Sequence, residues 1–116
     1  MAKTLAIDLS WEPLGEIACL LRLAADRFWE AADSAGVDSP LHSLGLGSFL
    51  AASRATEMLP PDRAVPEDSA GESANPLRVL EAAERLTRQL DPRMAGASDL
   101  SITVADLVRE ARHCAA

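Results

Sequence analysis

The stretch from Pro60 to Pro76 constrains the fold more than any other feature of this chain. It holds four prolines and four acidic residues, and Val65 is its one sizeable aliphatic side chain. Such a segment buries too little apolar surface to offset the entropy that is lost when it becomes ordered. Apolar residues recur with helical spacing on both sides of it. We therefore expect a flexible linker or loop over 60–76, between a first helical hairpin at 10–59 and a second at 77–116.

The residue composition is typical of an all-α protein. The 116 residues match the commonest size of a single domain, so we expect one helical domain over 1–116. Ala, Leu, Glu and Arg abound, whereas aromatic residues make up 3% of the chain and Tyr is absent, a balance that favours helices over strands. The expected fold is a four-helix bundle of two helical hairpins joined by the long loop rich in Pro and acids.

The charge distribution excludes several classes of partner. Residues 1–59 carry eight acids against four bases, residues 60–76 carry four against one, and residues 77–116 carry six of each, which gives a net charge of −7. No segment has the clustered Lys and Arg that neutralise nucleic-acid phosphates or attract an anionic membrane surface. The sequence shows neither a secretory signal nor a run long enough to span a membrane. We expect a cytoplasmic protein that binds no nucleic acid and no membrane.

A first helix is predicted from Ser10, a good N-cap that lies between Leu9 and Leu14, the two residues of a hydrophobic staple. Gly36 is expected to end this helix. At about 100° per residue, its apolar positions form one broad stripe. The members of the stripe are Leu14, Ile17, Ala18, Leu21, Ala24, Ala25, Phe28, Ala32 and Ala35.

A second helix is predicted between two proline signals. Ser39-Pro40 supplies an N-cap followed by proline at the first helical position, and Pro60-Pro61 ends the helix. Gly45 and Gly47 each cost about 1 kcal/mol relative to alanine inside a helix. They mark a close helix contact, a kink or a later helix start. The expected inner stripe is Leu41, Leu44, Ser48, Ala51, Ala52, Ala55, Met58 and Leu59.

Two more helices are predicted after the linker. Asn75-Pro76 repeats the start signal, and Asp91-Pro92 ends the third helix. Thr103 opens the last helix with a cap toward Asp106, although residues 99–104 also fit a short extended segment. The inward faces are expected to be Val79, Ala82, Ala83, Leu86 and Leu90 on the third helix, and Val104, Leu107, Val108, Ala111 and Cys114 on the fourth.

Four leucines do not fit the inner stripes of a single bundle. Leu20 and Leu23 lie three residues apart outside the stripe of the first helix, and Leu46 and Leu50 lie four apart on the outer side of the second. This spacing places each pair on one helix face and is typical of a second seam. We therefore predict an interface at these leucines, which in its simplest form is that of a symmetric homodimer.

The length of the predicted linker adds a topological expectation. Its 17 residues exceed the roughly 2 to 8 that usually join adjacent helices of a bundle. The linker either carries the chain along the bundle to a non-adjacent position or lets the second hairpin dock on another copy. Helix exchange between protomers is therefore a further prediction.

The sequence offers little chemistry for catalysis or metal binding. Glu110 and His113 have the Glu-x-x-His spacing of carboxylate-bridged di-iron bundles, but both project away from the inward stripe and no second pair accompanies them. Cys19, which projects toward the polar side of its helix, and Cys114 lack the paired spacing of a zinc site and are expected to be free thiols. His42 is a candidate base without an identifiable nucleophile. We expect no cofactor.

These observations lead to two functional hypotheses. The first is a non-catalytic helical interaction protein, a homodimer or a small adaptor or regulator, that acts through apolar helix faces. The second is a small-molecule- or metal-binding bundle with a sensory or enzymatic role, whose ligand would lie between the hairpins near Trp11, Phe28 and Trp29. We prefer the first, because no catalytic, metal or phosphate motif supports the second.

Overall fold

The structure, a computed structural model, describes residues 2–60 and 75–115, with side chains for 11–60 and 75–114. It contains four helices and, in these residues, no strand, which confirms the all-α prediction. The linker predicted over 60–76 falls mainly on residues 61–74, which lie outside the described part. The helices are α1 (Ala2–Ala35), α2 (Leu41–Met58), α3 (Pro76–Thr87) and α4 (Ala97–Ala115).

The four helices form a bundle in which each helix packs against two others. Helix α1 contacts α2 and α3, and α4 also contacts α2 and α3. Among the described residues, no Cα atom of α1 lies within 8 Å of one in α4, and no Cα atom of α2 lies within 8 Å of one in α3. The helices therefore follow one another around the bundle in the order α1, α2, α4, α3, as in a four-helix bundle with one long crossover connection.

Neighbouring helices run in opposite directions. Gly47, in the first half of α2, lies against Leu107, just past the middle of α4, while Gly96, just before α4, lies against Met58 at the end of α2. Helix α3 is likewise antiparallel to α4, and the short α1–α2 connection makes that pair antiparallel as well. Helices α2 and α3 therefore run in the same direction on opposite corners of the bundle.

This arrangement explains the long connection between the hairpins. The chain leaves α2 at one end of the bundle and enters α3 at the other, so the prediction of a non-adjacent position is confirmed. Helix α2 is about 27 Å long, whereas the 15 peptide steps from Pro60 to Asn75 reach about 50 Å when extended. One chain can therefore close its own bundle, and helix exchange between protomers stays a prediction that the fold does not require.

Helix α1 begins much earlier than predicted. It starts at Ala2, so the expected N-cap at Ser10 is wrong, and Pro13 lies inside the helix. The residues between Ala2 and Ser10 include neither Gly nor Pro, so nothing local interrupts the helix. The helix ends at Ala35, just before Gly36 as predicted.

Replacing Pro13 by alanine tests this helix start. A proline inside a helix removes one backbone hydrogen bond and clashes with the preceding turn, at a cost of about 3 kcal/mol. We expect Pro13→Ala to raise both the far-UV helical signal and the free energy of unfolding, measured by circular dichroism during urea denaturation. If the helix began at Ser10, Pro13 would lie in its first turn, where proline is tolerated, and both quantities would hardly change.

A compact corner joins α1 to α2. Gly36 adopts φ 106°, a conformation that favours glycine, and its carbonyl accepts hydrogen bonds from the Ser39 N–H (3.2 Å) and from His42 Nε2 (3.3 Å). Helix α2 begins at Leu41 with Pro40 as its N-cap residue, one residue later than predicted, and the Ser39 hydroxyl accepts a hydrogen bond from the Leu41 N–H (3.2 Å). His42 therefore has a structural role in the corner.

The second hairpin starts as predicted at α3 but not at α4. The Asn75 side chain accepts a hydrogen bond from the Leu77 N–H (3.0 Å), with Pro76 at the first helical position. Helix α4 begins at Ala97, after Gly96 with φ 85°, so both the start at Thr103 and the extended segment over 99–104 are wrong. The inward spacing continues upstream through Leu100 and Ala97, both buried, and this burial favours the longer helix.

The loop between α3 and α4 is held by an Asx-type turn. The Asp91 carboxylate accepts hydrogen bonds from the Arg93 side chain (3.1 and 3.2 Å) and backbone N–H (2.9 Å). The side-chain hydrogen bond is the largest cause that lowers the pKa of Asp91, and the backbone bond adds to it. The pair orients the short loop that turns the chain back along α3.

Helix α1 supplies the centre of the core. The buried face of α1 is wide because the helix packs against α2 and α3 at once. Leu20, predicted to lie outside the bundle, is therefore buried, with 4% of its surface exposed. Leu23 is half-buried and packs against the core. Cys19 is buried rather than polar-facing, whereas Cys114, expected to face inward, is exposed at the end of α4. The largest fully buried side chains are Phe28, Leu14, Ile17, Leu21, Leu44, Leu80, Leu100, Val79, Val104 and Val108.

Candidate protein-binding surface

Three large apolar side chains of α2 are exposed next to one another. Leu46, Phe49 and Leu50 are 53%, 37% and 58% exposed. They are spaced three and four residues apart, so they share one face of the helix. We call these three residues the α2 strip. An apolar row of this kind is typical of a protein interface.

The strip exists because α2 packs inward mainly through small residues. Apart from Leu44, the buried positions carry glycine, serine or alanine, which bury little surface each and let neighbouring helices approach closely. The larger apolar residues of the same segment therefore lie on the outer face, where they add nothing to the core. The buried residues of α2 are Leu44, Gly45, Ser48, Ala51, Ala52 and Ala55.

Trp29 of α1 supports the strip from the neighbouring helix. Its ring centroid lies 5.8 Å from that of Phe49, with an angle of 40° between the ring planes. The edge of the indole also lies against the backbone at Gly45, where a Cβ would overlap with Nε1 and Cδ1. Trp29 is half-buried: it contacts Phe49 of the exposed strip and also packs between α1 and α2 at Gly45. Of the three meanings considered for Gly45, the structure shows the close helix contact.

Gly45→Ala tests this contact. The added Cβ overlaps with a rigid bicyclic ring, and such overpacking costs about 1–3 kcal/mol, more than the roughly 1 kcal/mol that alanine gains in helix propensity. We expect the free energy of unfolding, measured by urea denaturation, to fall by up to about 2 kcal/mol. Trp29 fluorescence should change with it.

Gly47→Ala is the matched control. There the added Cβ would lie 2.8 Å from Cδ2 of Leu107, the end of a flexible side chain that can rotate away. Because alanine also gains about 1 kcal/mol in helix propensity here, we expect this variant to be as stable as the wild type or up to about 1 kcal/mol more stable. A loss at Gly47 equal to that at Gly45 would contradict the close contact with Trp29.

An acidic edge accompanies the strip on the α1 side. Asp26 and Asp33, both exposed, lie three residues before and four residues after Trp29, so they share its side of α1. Neither forms an ion pair with a described residue. Glu30, by contrast, is paired with Arg27 at 3.2 Å. The surface therefore combines an apolar row on α2 with two unpaired carboxylates on α1.

The structure separates the four predicted interface leucines. Leu46 and Leu50 lie together on the exposed face of α2, and their role in an interface stays a prediction. Leu20 and Leu23 are used in packing the bundle itself, so no second seam runs along α1 at these positions. Phe49 is not among the residues that the leucine spacing predicts for this interface. Its spacing of three residues from Leu46 was the signal that could have included it.

The three predicted pocket residues do not converge on one site. Phe28 is 2% exposed and belongs to the core, whereas Trp11 and Trp29 are half-buried. The two tryptophans are 18 residues apart on one continuous helix, which corresponds to about 27 Å along its axis. One small ligand therefore cannot contact both of them, and a ligand site near either tryptophan stays a prediction.

The predicted metal candidates lie on the surface. Glu110 and His113 are exposed, in agreement with their projection away from the inward stripe. They border an open depression on α4 together with Asp106, which is ion-paired with Arg109 at 3.4 Å. Among the described residues, no cluster of three or more His, Cys, Asp or Glu could hold a metal ion.

Comparison of the chain with models of protein families, with curated proteins and with solved structures gave no match. None of the described helices combines the length and the apolar character needed to cross a bilayer. The α2 strip with its acidic edge is therefore the feature on which a functional proposal can be built.

Proposed function

We propose that this chain is a non-catalytic helical interaction protein that binds a protein partner through the α2 strip. One observation carries the proposal: Leu46, Phe49 and Leu50 expose a contiguous apolar row, whereas Val37 and Ile102, the other large apolar side chains exposed among the described residues, lie outside α2. A contiguous apolar row at a protein surface is commonly a site of association, whereas single exposed leucines are ordinary.

The support beneath the strip favours this role. Phe49 is backed by the Trp29 ring, and Gly45 lets that ring approach the α2 backbone closely. The strip therefore lies on a packed helix rather than on a loop. A rigid apolar surface loses less conformational entropy on binding, so it contributes more of its contact energy to affinity.

The proposal covers a homodimer and a small adaptor or regulator, the two forms expected from the sequence. It keeps the expected cytoplasmic location and the expected lack of nucleic-acid and membrane partners. We propose no ligand-binding or enzymatic function, because Trp11 and Trp29 lie too far apart along α1 to share a ligand.

Two variants test the proposal. Leu46→Ser with Leu50→Ser removes most of the exposed apolar surface, and Ile102→Ser, 61% exposed on α4, removes a similar side chain elsewhere. We expect both variants to fold like the wild type. Each variant is affinity-purified from the native cell, and the mass of the eluted protein is measured by light scattering. A bound protein, or a second copy, should accompany the wild type and Ile102→Ser but not the double variant. Unchanged association of the double variant would contradict the proposal.

A further inference from the structure

We infer that the partner presents an amphipathic helix whose apolar row has Lys or Arg along one edge. This inference rests on the proposed function and names the chemistry of the partner. It follows from the position of the α2 strip relative to the acidic edge of α1, and from the charge that this edge carries.

The apolar part of the surface suits a helix. The strip advances by three and four residues along α2, so it forms a ridge of the kind that packs into the groove of another helix. Trp29 and Phe49 fill the line where α1 and α2 meet. A helix laid along this line would contact Leu46 and Leu50 on one side and α1 on the other, which is the helix-in-groove mode of recognition.

The α1 side of the same line is acidic. Asp26 and Asp33 lie on either side of Trp29 and have no ionic partner among the described residues. Arg22 is the one base along this side; it lies one turn before Asp26, with which it forms no ion pair, and eleven residues before Asp33. Glu30 is neutralised by Arg27. A helix seated on the strip therefore faces leucines on one edge and carboxylates on the other.

The spacing of the carboxylates sets the spacing of the bases. Asp26 and Asp33 are seven residues apart, or about 10.5 Å along α1. A roughly parallel or antiparallel partner helix would match them with Lys or Arg at positions i and i+7, on the edge beside its apolar row. Opposite charges at the rim of an interface mainly raise the association rate and the selectivity for the partner.

A second copy of this chain complements the surface less well. Each copy carries the net charge of −7 and brings the same acidic edge, so the approach of two copies is opposed by like charge. The same charge attracts a basic helix. We therefore assign the surface to a basic amphipathic helix of another protein rather than to a homodimer.

A synthetic peptide tests the assignment. The probe is an 18-residue capped helix with leucines at i, i+3, i+4 and i+7 and lysines along one edge, compared with a peptide in which glutamates replace the lysines. The chain has two tryptophans, so Trp11→Phe leaves Trp29, beside the strip, as the fluorescent reporter. We expect saturable 1:1 binding of the lysine peptide, at least tenfold tighter than the glutamate peptide and weaker at higher salt.

Paired variants separate the two parts of the surface. Leu46→Ser with Leu50→Ser should weaken binding of the lysine peptide at least tenfold, and Ile102→Ser should leave it unchanged. Asp26→Asn with Asp33→Asn should weaken it several-fold. Glu84→Gln with Asp99→Asn removes the same charge from α3 and α4, and we expect almost no effect on the dissociation constant.

The outcomes distinguish the inference from the proposed function. Equal binding of both peptides, or equal effects of the two acid-removing pairs, would overturn the basic helix but leave the strip as an interaction surface. A wild-type dimer that Leu46→Ser with Leu50→Ser dissociates would likewise replace the basic helix by a second copy. If Leu46→Ser with Leu50→Ser changed neither the binding of the lysine peptide nor the association in the cell, both the basic helix and the proposed function would be overturned.

Discussion

Phe28→Ala is expected to destabilise the protein by about 3–5 kcal/mol, the usual cost of removing a buried aromatic side chain. Phe28 is 2% exposed and lies in the second half of α1, which packs against two helices. A domain of this size has a total stability of about 5–15 kcal/mol, so this loss is a large part of it. Urea denaturation followed by circular dichroism measures the change.

Phe49→Ala is the matched control, because Phe28 and Phe49 are the two phenylalanines of the chain. Phe49 is 37% exposed and loses its ring contact with Trp29, so we expect a cost of about 1 kcal/mol or less. If Phe28 lined a ligand pocket, as the sequence suggested, its truncation would cost little without ligand. Similar costs at the two positions would therefore contradict the core described here.

Leu20→Asp is expected to abolish cooperative unfolding or to cost more than about 4 kcal/mol, because it buries an unpaired charge. Leu20 is 4% exposed within the packed α1. Leu50→Asp makes the same change at a position that is 58% exposed, and we expect a shift within about 0.5 kcal/mol. Thermal and urea unfolding of the two variants provide the comparison.

Leu20→Ala keeps this comparison quantitative if Leu20→Asp fails to fold. Removing a buried leucine side chain costs about 2–5 kcal/mol, whereas an exposed one costs far less. If Leu20→Ala and Leu50→Ala lowered the free energy of unfolding by equally small amounts, Leu20 would belong to a surface seam. In that case the two leucine pairs predicted from the sequence would form one interface.

The helix ends show why local signals are only partly sufficient. Asn75 and Gly36 act as predicted because a cap and a positive φ depend on the residue itself and its nearest neighbours. Ser10 and Thr103 are equally good caps, but in each case the helix continues upstream. Around Thr103 the continuation buries Leu100 and Ala97, and packing of this kind outweighs a single capping bond of about 1 kcal/mol.

The burial of Leu20 could not be predicted from the pattern of α1 alone. A helical projection gives the direction of each side chain but not how many helices surround it. Because α1 touches both α2 and α3, its covered face is wider than the single stripe drawn from the sequence. The same reasoning succeeded for Leu46 and Leu50, since α2 buries small residues and leaves its opposite face uncovered.

In the sequence, Asp26 and Asp33 belong to the acidic face opposite the apolar stripe of the first helix, but the pattern does not place that face beside Leu46 and Leu50. The side of α1 that carries Asp26 and Asp33 lies next to the strip because Trp29 packs against Phe49. Contacts of this kind join residues 20 positions apart in sequence. No spacing rule within one helix predicts which faces of two helices will meet.

The most direct measurement is a nuclear magnetic resonance titration of the ¹⁵N-labelled chain with the lysine peptide. We expect the largest amide shifts in residues 26–33 and 43–53, and no change on the outer faces of α3 and α4. The Leu46→Ser and Leu50→Ser double variant should lose these shifts while keeping a dispersed spectrum. Shifts confined to α3 or α4, or none that depend on the two leucines, would contradict the claim that the α2 strip is the binding surface.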